Sequence, residues 1–85
     1  MASLSEIEGR LRELYAELLE VGDIPSSANF IEYGGDSLRA TILANTVEEE
    51  IGVRPPLVRI FDSTLAELAA ECVRRRGEPT DRGDR

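Results

Sequence analysis

Apolar positions along this chain fall into helical rhythms separated by stretches that have none. Leu4, Ile7, Leu11, Leu14, Leu18 and Val21 recur every three or four residues, and Tyr15 and Leu19 widen the stripe. Ser3 with Glu6 reads as a capping box, Ser5 with Glu8 as a shifted alternative, and Gly22 as a stop, so a first helix is predicted over residues 4–21. Asp36 is an N-cap for a second helix over residues 37–51, closed by Gly52. The inner face of that helix reads as Leu38, Ala40, Leu43, Ala44, Val47 and Ile51, with Ile42 left outside it. Pro55 and Pro56 block its extension, and residues 57–61 have room for one short helix with Leu57, Ile60 and Phe61 inward. Thr64 with Glu67 is a further capping box. It opens a last helix whose inner face is Leu65, Leu68, Ala69, Cys72 and Val73, and Arg74, Arg75 and Arg76 suit its negative C-terminal end.

Residues 22–36 lack a period, and a connection of that length far exceeds the usual ~4–6 residues. Ile24, Phe30, Ile31 and Tyr33 are spaced so as to pin it across the helices. Residues 77–85 contain no apolar side chain and read as a polar tail beyond a domain of residues 1–76. No strand-like alternation and no internal repeat is present. The expected architecture is all-α: a four-helix bundle of three main helices and one short one, with a long loop between the first two.

Composition narrows the function. The chain has 85 residues, enough for one small domain with a thin core. It has no histidine, hence neither the commonest general base nor the commonest metal ligand, and its single cysteine excludes an internal disulfide and a multi-cysteine zinc site. A net charge of −7 disfavours nucleic acid and anionic membranes and favours proteins with basic patches. The N-terminus has no signal-peptide pattern, and no apolar run reaches the ~20 residues of a membrane span, so a cytoplasmic protein is expected. A self-contained enzyme is not expected.

The tetrapeptide Gly34-Gly35-Asp36-Ser37, followed by Leu38 on an amphipathic helix, is the candidate site. Two glycines allow a sharp turn, Asp36 caps, and Ser37 stands in the first turn, where a phosphate on its hydroxyl would meet the positive end of the helix. No base or oxyanion partner accompanies Ser37, which suits an acceptor hydroxyl and not a hydrolytic nucleophile. On those four residues alone, an ordinary turn with an N-cap is the better explanation of the pattern.

The wider context, from Asn29-Phe30-Ile31-Glu32-Tyr33-Gly34-Gly35-Asp36-Ser37-Leu38-Arg39-Ala40-Thr41 through Val47–Val53, Pro56-Leu57, Ile60-Phe61 and Thr64–Ala69, resembles the thiolation domains, or peptidyl carrier proteins, of nonribosomal peptide synthetases, within the acyl-carrier-protein-like family. The likeness covers about residues 4–76 and is strongest over 29–69. It implies a four-helix bundle without catalytic activity or a bound metal. It also implies that a phosphopantetheinyl transferase attaches 4′-phosphopantetheine from coenzyme A to Ser37, with Gly35, Asp36 and Leu38 as the flanking motif. The thiol of that arm then holds aminoacyl or peptidyl thioesters. The implied partners are an adenylation enzyme loading in trans and condensation or tailoring enzymes of an antibiotic-type pathway, met by a free-standing monomer through Tyr33, Leu38, Arg39 and Ile42.

Several positions depart from the family pattern. Tyr33 replaces a leucine, Ile31 a second phenylalanine, and Arg39 a frequent leucine. Asp36 stands where many peptidyl carriers have His, which keeps open an acyl or aryl carrier of polyketide or fatty-acid-type metabolism. An unmodified helical interaction module that merely shares the turn is the alternative from another class. Asp36, Glu48, Glu49 and Glu50 read either as a docking face for basic grooves or as a solvated helix end. Cys72 reads as a core thiol, and Arg82-Gly83-Asp84 as a chance tripeptide.

Overall fold

The computed structural model describes residues 3–77. Four helices follow in order: α1 (Leu4–Leu19), α2 (Ser37–Ile51), α3 (Leu57–Asp62) and α4 (Leu65–Gly77), with no strand among the described residues. α1 packs on α4 and α2, and α3 packs on α2, around a single core. This is the all-α bundle that the apolar rhythm predicts. The tail lies outside the described residues from position 78 on, including Arg82-Gly83-Asp84, while Gly77 is the last residue of α4.

The ends of α1 show how local chemistry sets its length. Ser3 and Glu6 form the expected capping box: the Glu6 N–H donates to Ser3 Oγ at 3.2 Å, and the Ser3 N–H donates to Glu6 Oε1 at 2.9 Å. The helix stops two residues before the expected position 21, and the stop is not Gly22. Glu20 takes a left-handed conformation, φ 58° and ψ 45°, and its N–H and that of Val21 both turn back to the Ala16 carbonyl. Val21 thereby leaves the helix axis yet still packs against the core. Ile7, Leu11, Leu14 and Tyr15 form the buried stripe, the three aliphatic side chains each worth roughly 1.5–3 kcal/mol of transfer free energy. Leu4 stays about half exposed because the stripe meets its neighbours only from Ile7 on.

The long loop is an ordered part of the bundle. Ile24, Ala28 and Phe30 are buried, whereas Ile31 and Tyr33, expected to help pin the loop, remain exposed. Backbone and side-chain hydrogen bonds supply the fastening that those two side chains do not. Arg12 Nε donates to the Ile24 carbonyl at 2.8 Å, and Arg12, Ser26 and Glu8 form a side-chain network beside it. That network, led by the Ser26 hydroxyl, holds the Glu8 carboxyl below its ordinary value. On the other side, the Leu65 and Ala66 N–H groups, which α4 itself leaves unpartnered, donate to the Ala28 and Ser26 carbonyls at 2.8 and 3.0 Å. Asn29 Nδ2 donates to the Phe61 carbonyl at 2.9 Å, so one loop residue bridges to the end of α3.

α2 runs over the predicted residues, with Asp36 as N-cap and Gly52 at φ 90° as its end. Ala40, Leu43, Ala44 and Val47 are buried. Leu38, expected on the inner face, is 70% exposed, because in the first turn of α2 its direction falls on the solvent side. α3 buries Ile60 and packs Leu57 and Phe61 against the core. α4 opens on the Thr64–Glu67 capping box and buries Leu65, Leu68, Ala69 and Cys72. Burial pushes the Cys72 thiol up to about 11, which fits a core side chain.

Candidate functional site

Phe30 anchors the residues that lead into α2. Its ring is fully buried and meets Tyr15 edge-on, centroids 5.0 Å apart. From that anchor the chain coils back on itself: the Tyr33, Gly34 and Gly35 N–H groups donate to the Asn29, Ile31 and Phe30 carbonyls at 3.2, 2.9 and 2.9 Å. Asn29 Oδ1 accepts from the Ile31 and Glu32 N–H groups, which seals the start of the coil. Gly34 then takes φ 99°, a left-handed conformation with open space around it. Gly35 is needed for a different reason. A Cβ there would collide with the Phe30 ring and lie 2.7 Å from the Phe30 carbonyl oxygen.

The paired glycines deliver the chain to Asp36 at the start of α2. Asp36 Oδ1 accepts from the Arg39 N–H at 2.9 Å, and the Asp36 carbonyl accepts from the Ala40 N–H at 2.9 Å. Ser37, the first residue of α2, is exposed. Its carbonyl accepts from the Thr41 hydroxyl at 2.8 Å, while its own hydroxyl has no partner among the described residues. The N–H groups of Ser37 and Leu38 are likewise uncommitted at the positive end of the helix. An exposed hydroxyl with two free N–H groups beside it fits a phosphate ester.

Several apolar side chains are exposed where a lone domain gains nothing from it. Leu38 and Ile42 share one face of α2 four residues apart and are 70% and 42% exposed. Tyr33 and Ile31 are exposed on the loop. Val58 on α3 is exposed as well, a residue sequence reading passed over although it falls off the Leu57, Ile60, Phe61 face. Arg39 turns inward instead: Nε donates to the Leu18 carbonyl at 2.8 Å and Nη1 to Asp36 Oδ2 at 3.1 Å. The acidic positions of α2 are mostly matched within the chain. Glu50 receives a two-pronged contact from Arg10, 2.7 Å on each oxygen, which holds its carboxyl low, and Glu48 pairs with Arg54. The site is thus a surface feature. Among the described residues there is no cavity and no cluster of three or more metal-ligating side chains.

A family model described as the phosphopantetheine attachment site matches residues 9–72. The chain belongs to this family. Its members carry 4′-phosphopantetheine covalently on a serine, and this carrier domain has the family's helical bundle. The solution structure of an active-site mutant peptidyl carrier protein superposes with a TM-score of 0.79 at 30% identity, covering 89% of this chain and 86% of that one. Bacitracin synthase 1 of Bacillus licheniformis is 36% identical over 76 residues. Phosphinothricin tripeptide synthetase of Streptomyces viridochromogenes is also 36% identical over 76 residues. Each alignment takes in 88% of this carrier domain, which spans only 1% and 7% of those two proteins respectively. The resemblance to thiolation domains, read from the motif and its flanks, is borne out by these matches.

Proposed function

We propose that Ser37 is the serine to which the phosphopantetheine arm is attached, and that the domain serves as a peptidyl carrier in nonribosomal peptide biosynthesis. The observation that supports Ser37 is a comparison of the four serines within the matched span. The Ser26 hydroxyl is committed to Glu8 and Arg12, and Ser63 is buried. Ser27 lies in the loop, with no helix behind it. Only Ser37 combines exposure, a free hydroxyl and a helix N-terminus. The arm supplies a terminal thiol on which acyl groups travel as thioesters. The chain's own residues do the rest: Gly34 and Gly35 shape the approach, Asp36 fixes the first turn, and Ser37 offers its oxygen away from the core.

In this reading the domain is not itself an enzyme. A phosphopantetheinyl transferase modifies it, an adenylation enzyme loads it, and condensation or tailoring enzymes receive it, all within the cytoplasm. No helix among the described residues is long and apolar enough to cross a membrane, which is compatible with that compartment. Tyr33, Leu38 and Ile42 provide the apolar docking surface. The carrier unit runs through the end of α4 at Gly77, one residue past the expected boundary at 76, with the polar residues beyond it as a tail. The second reading, an acyl or aryl carrier, rests on Asp36. That carboxylate, however, caps α2 and pairs with Arg39, and both uses are independent of the cargo.

Loading tests separate the two. The phosphopantetheine form, offered to adenylation enzymes with ATP and candidate amino acids, gains aminoacyl mass. Offered to an acyltransferase with malonyl-coenzyme A, it gains none. The reverse result would make it an acyl carrier.

A further inference from the structure

Charge on this molecule is uneven. The chain carries −7 overall, yet α4 ends on Arg74, Arg75 and Arg76 within its last turn. A helix C-terminus offers only about half a unit of negative charge, so three cations exceed what the helix end needs. A second anion stands among them: Glu71, whose side chain is 3% exposed. Arg59 Nε, from α3, donates to Glu71 Oε1 at 2.8 Å, and Arg75 Nε donates to Oε2 at 2.8 Å. Arg74 Nη2 stands 3.8 Å from the same Oε1. Three guanidiniums from two helices thus share one buried carboxylate. Arg59 also reaches Asp62 at 3.5 Å. Arg74 and Arg75 have no other partner among the described residues, and the Arg74 side chain is 61% exposed.

Two properties make this cluster suited to an outside acceptor. Arg75 spends only Nε on Glu71 and keeps both Nη groups, an edge that a planar carboxylate meets with parallel hydrogen bonds. Glu71 also holds the Arg59 and Arg75 heads in place before any partner arrives, so engaging them costs little further side-chain freedom. We propose that Arg74 and Arg75, set beside Arg59 by Glu71, form a docking surface for a carboxylate-rich segment of a partner protein. The occupant follows from sign and extent. The patch is small, Asp62 and Glu67 act on the charge of Arg59 at its α3 side, and the chain as a whole repels long polyanions. It therefore fits a short acidic segment and not a nucleic-acid backbone. This surface belongs to α3 and α4, is distinct from the apolar Leu38 and Ile42 of α2, and does not depend on modification of Ser37.

The test uses the full, unmodified chain labelled with nitrogen-15. It is titrated with a hexaglutamate peptide with blocked ends, and the arginine Nε–Hε resonances are followed. Those of Arg59, Arg74 and Arg75 are expected to shift saturably, while those of Arg10, Arg12, Arg39 and Arg54 stay in place. Raising the salt from about 50 to about 200 mM is expected to weaken binding about three- to tenfold. Arg74→Gln combined with Arg75→Gln is expected to weaken it by about fivefold or more. Arg74→Gln alone disturbs only a 3.8 Å contact, and it carries the test, with a loss of about two- to threefold, if the double variant does not fold. No saturable shift, shifts spread over every arginine, or unchanged affinity in the variants would each overturn the proposal. Tighter binding of a hexathymidylate strand than of hexaglutamate would make the surface a nucleic-acid site and overturn it as well. So would peptide binding that appears only after residues 78–85 are removed, since Glu78, Asp81 and Asp84 of the chain itself would then be the occupant.

Discussion

Gly34 and Gly35 stand side by side in the motif, yet the fold requires each for its own reason. Gly34 takes a positive φ that side chains rarely adopt but has free space, so Gly34→Asn is expected to cost about 1 kcal/mol, from backbone strain alone. Gly35 has ordinary φ but no room, because Phe30 occupies the place of its side chain. Gly35→Ala is expected to destabilise by about 1–3 kcal/mol, through overpacking, and to shift the Phe30 and Tyr15 ring resonances. Urea unfolding of the two variants checks the order; equal costs would contradict it. The sequence makes the glycine pair conspicuous, but only the position of the Phe30 ring separates the two roles. Leu38 illustrates a similar limit. Its helical spacing allowed an inward reading, and the direction of one first-turn side chain cannot be fixed from periodicity to better than a neighbouring face.

Among the elements, α3 is short enough that charge matters to it alongside packing. It is six residues long, has no side-chain cap, and buries only Ile60 completely. Arg59 fastens it to α4 through Glu71, Nε to Oε1 at 2.8 Å, and Arg75 holds the other carboxylate oxygen at 2.8 Å. Burial alone would raise the Glu71 carboxyl, but the hydrogen bonds from Arg59 and Arg75 outweigh it and bring the group below its ordinary value of 4.5. A carboxyl lowered by folding contributes stability that is complete above its unfolded value and is lost as pH falls through the folded one. Glu71→Gln is therefore expected to cost about 1–2 kcal/mol at pH 7, the partners being half exposed. Melting curves taken from pH 7 down to pH 3 check the sign: the gap between wild type and variant should close once the pH drops below 4.5. A gap that stays constant would mean that Glu71 works through shape rather than charge. The capping boxes of α1 and α4 and the whole of α2 were legible because their signals are local. The left-handed Glu20 and the buried Glu71 were not, since each depends on a partner distant in sequence or on where the chain must turn next.

At the scale of the whole molecule, the order of helices, the long loop and the exposed start of α2 follow from apolar spacing and turn chemistry. The sequence shows the loop to be pinned, but it conceals that hydrogen bonds do much of the pinning. The loop satisfies the N-terminus of α4 with the Ala28 and Ser26 carbonyls and reaches α3 through Asn29, and its apolar Ile31 and Tyr33 are thereby free to face outward. Much of the acidic character of α2 is balanced internally by Arg10, Arg39 and Arg54, so the net charge of −7 overstates what a partner meets on that helix. The molecule is thus a small bundle that offers the Ser37 hydroxyl unencumbered at a braced helix terminus, with exposed apolar side chains on the same helix.

The most direct test of that account is the mass of the folded protein after incubation with coenzyme A, magnesium and a phosphopantetheinyl transferase, with Ser37→Ala alongside. Ser37→Ala is expected to change stability by no more than about 0.5 kcal/mol, so both proteins enter the experiment folded. Cleavage at arginine leaves Ser26, Ser27 and Ser37 on one peptide, residues 13–39, and the variant is what distinguishes them. The account predicts one phosphopantetheine on the wild type, carried by that peptide, and none on Ser37→Ala. An addition that persists on Ser37→Ala, or a folded wild type that takes none, would contradict it.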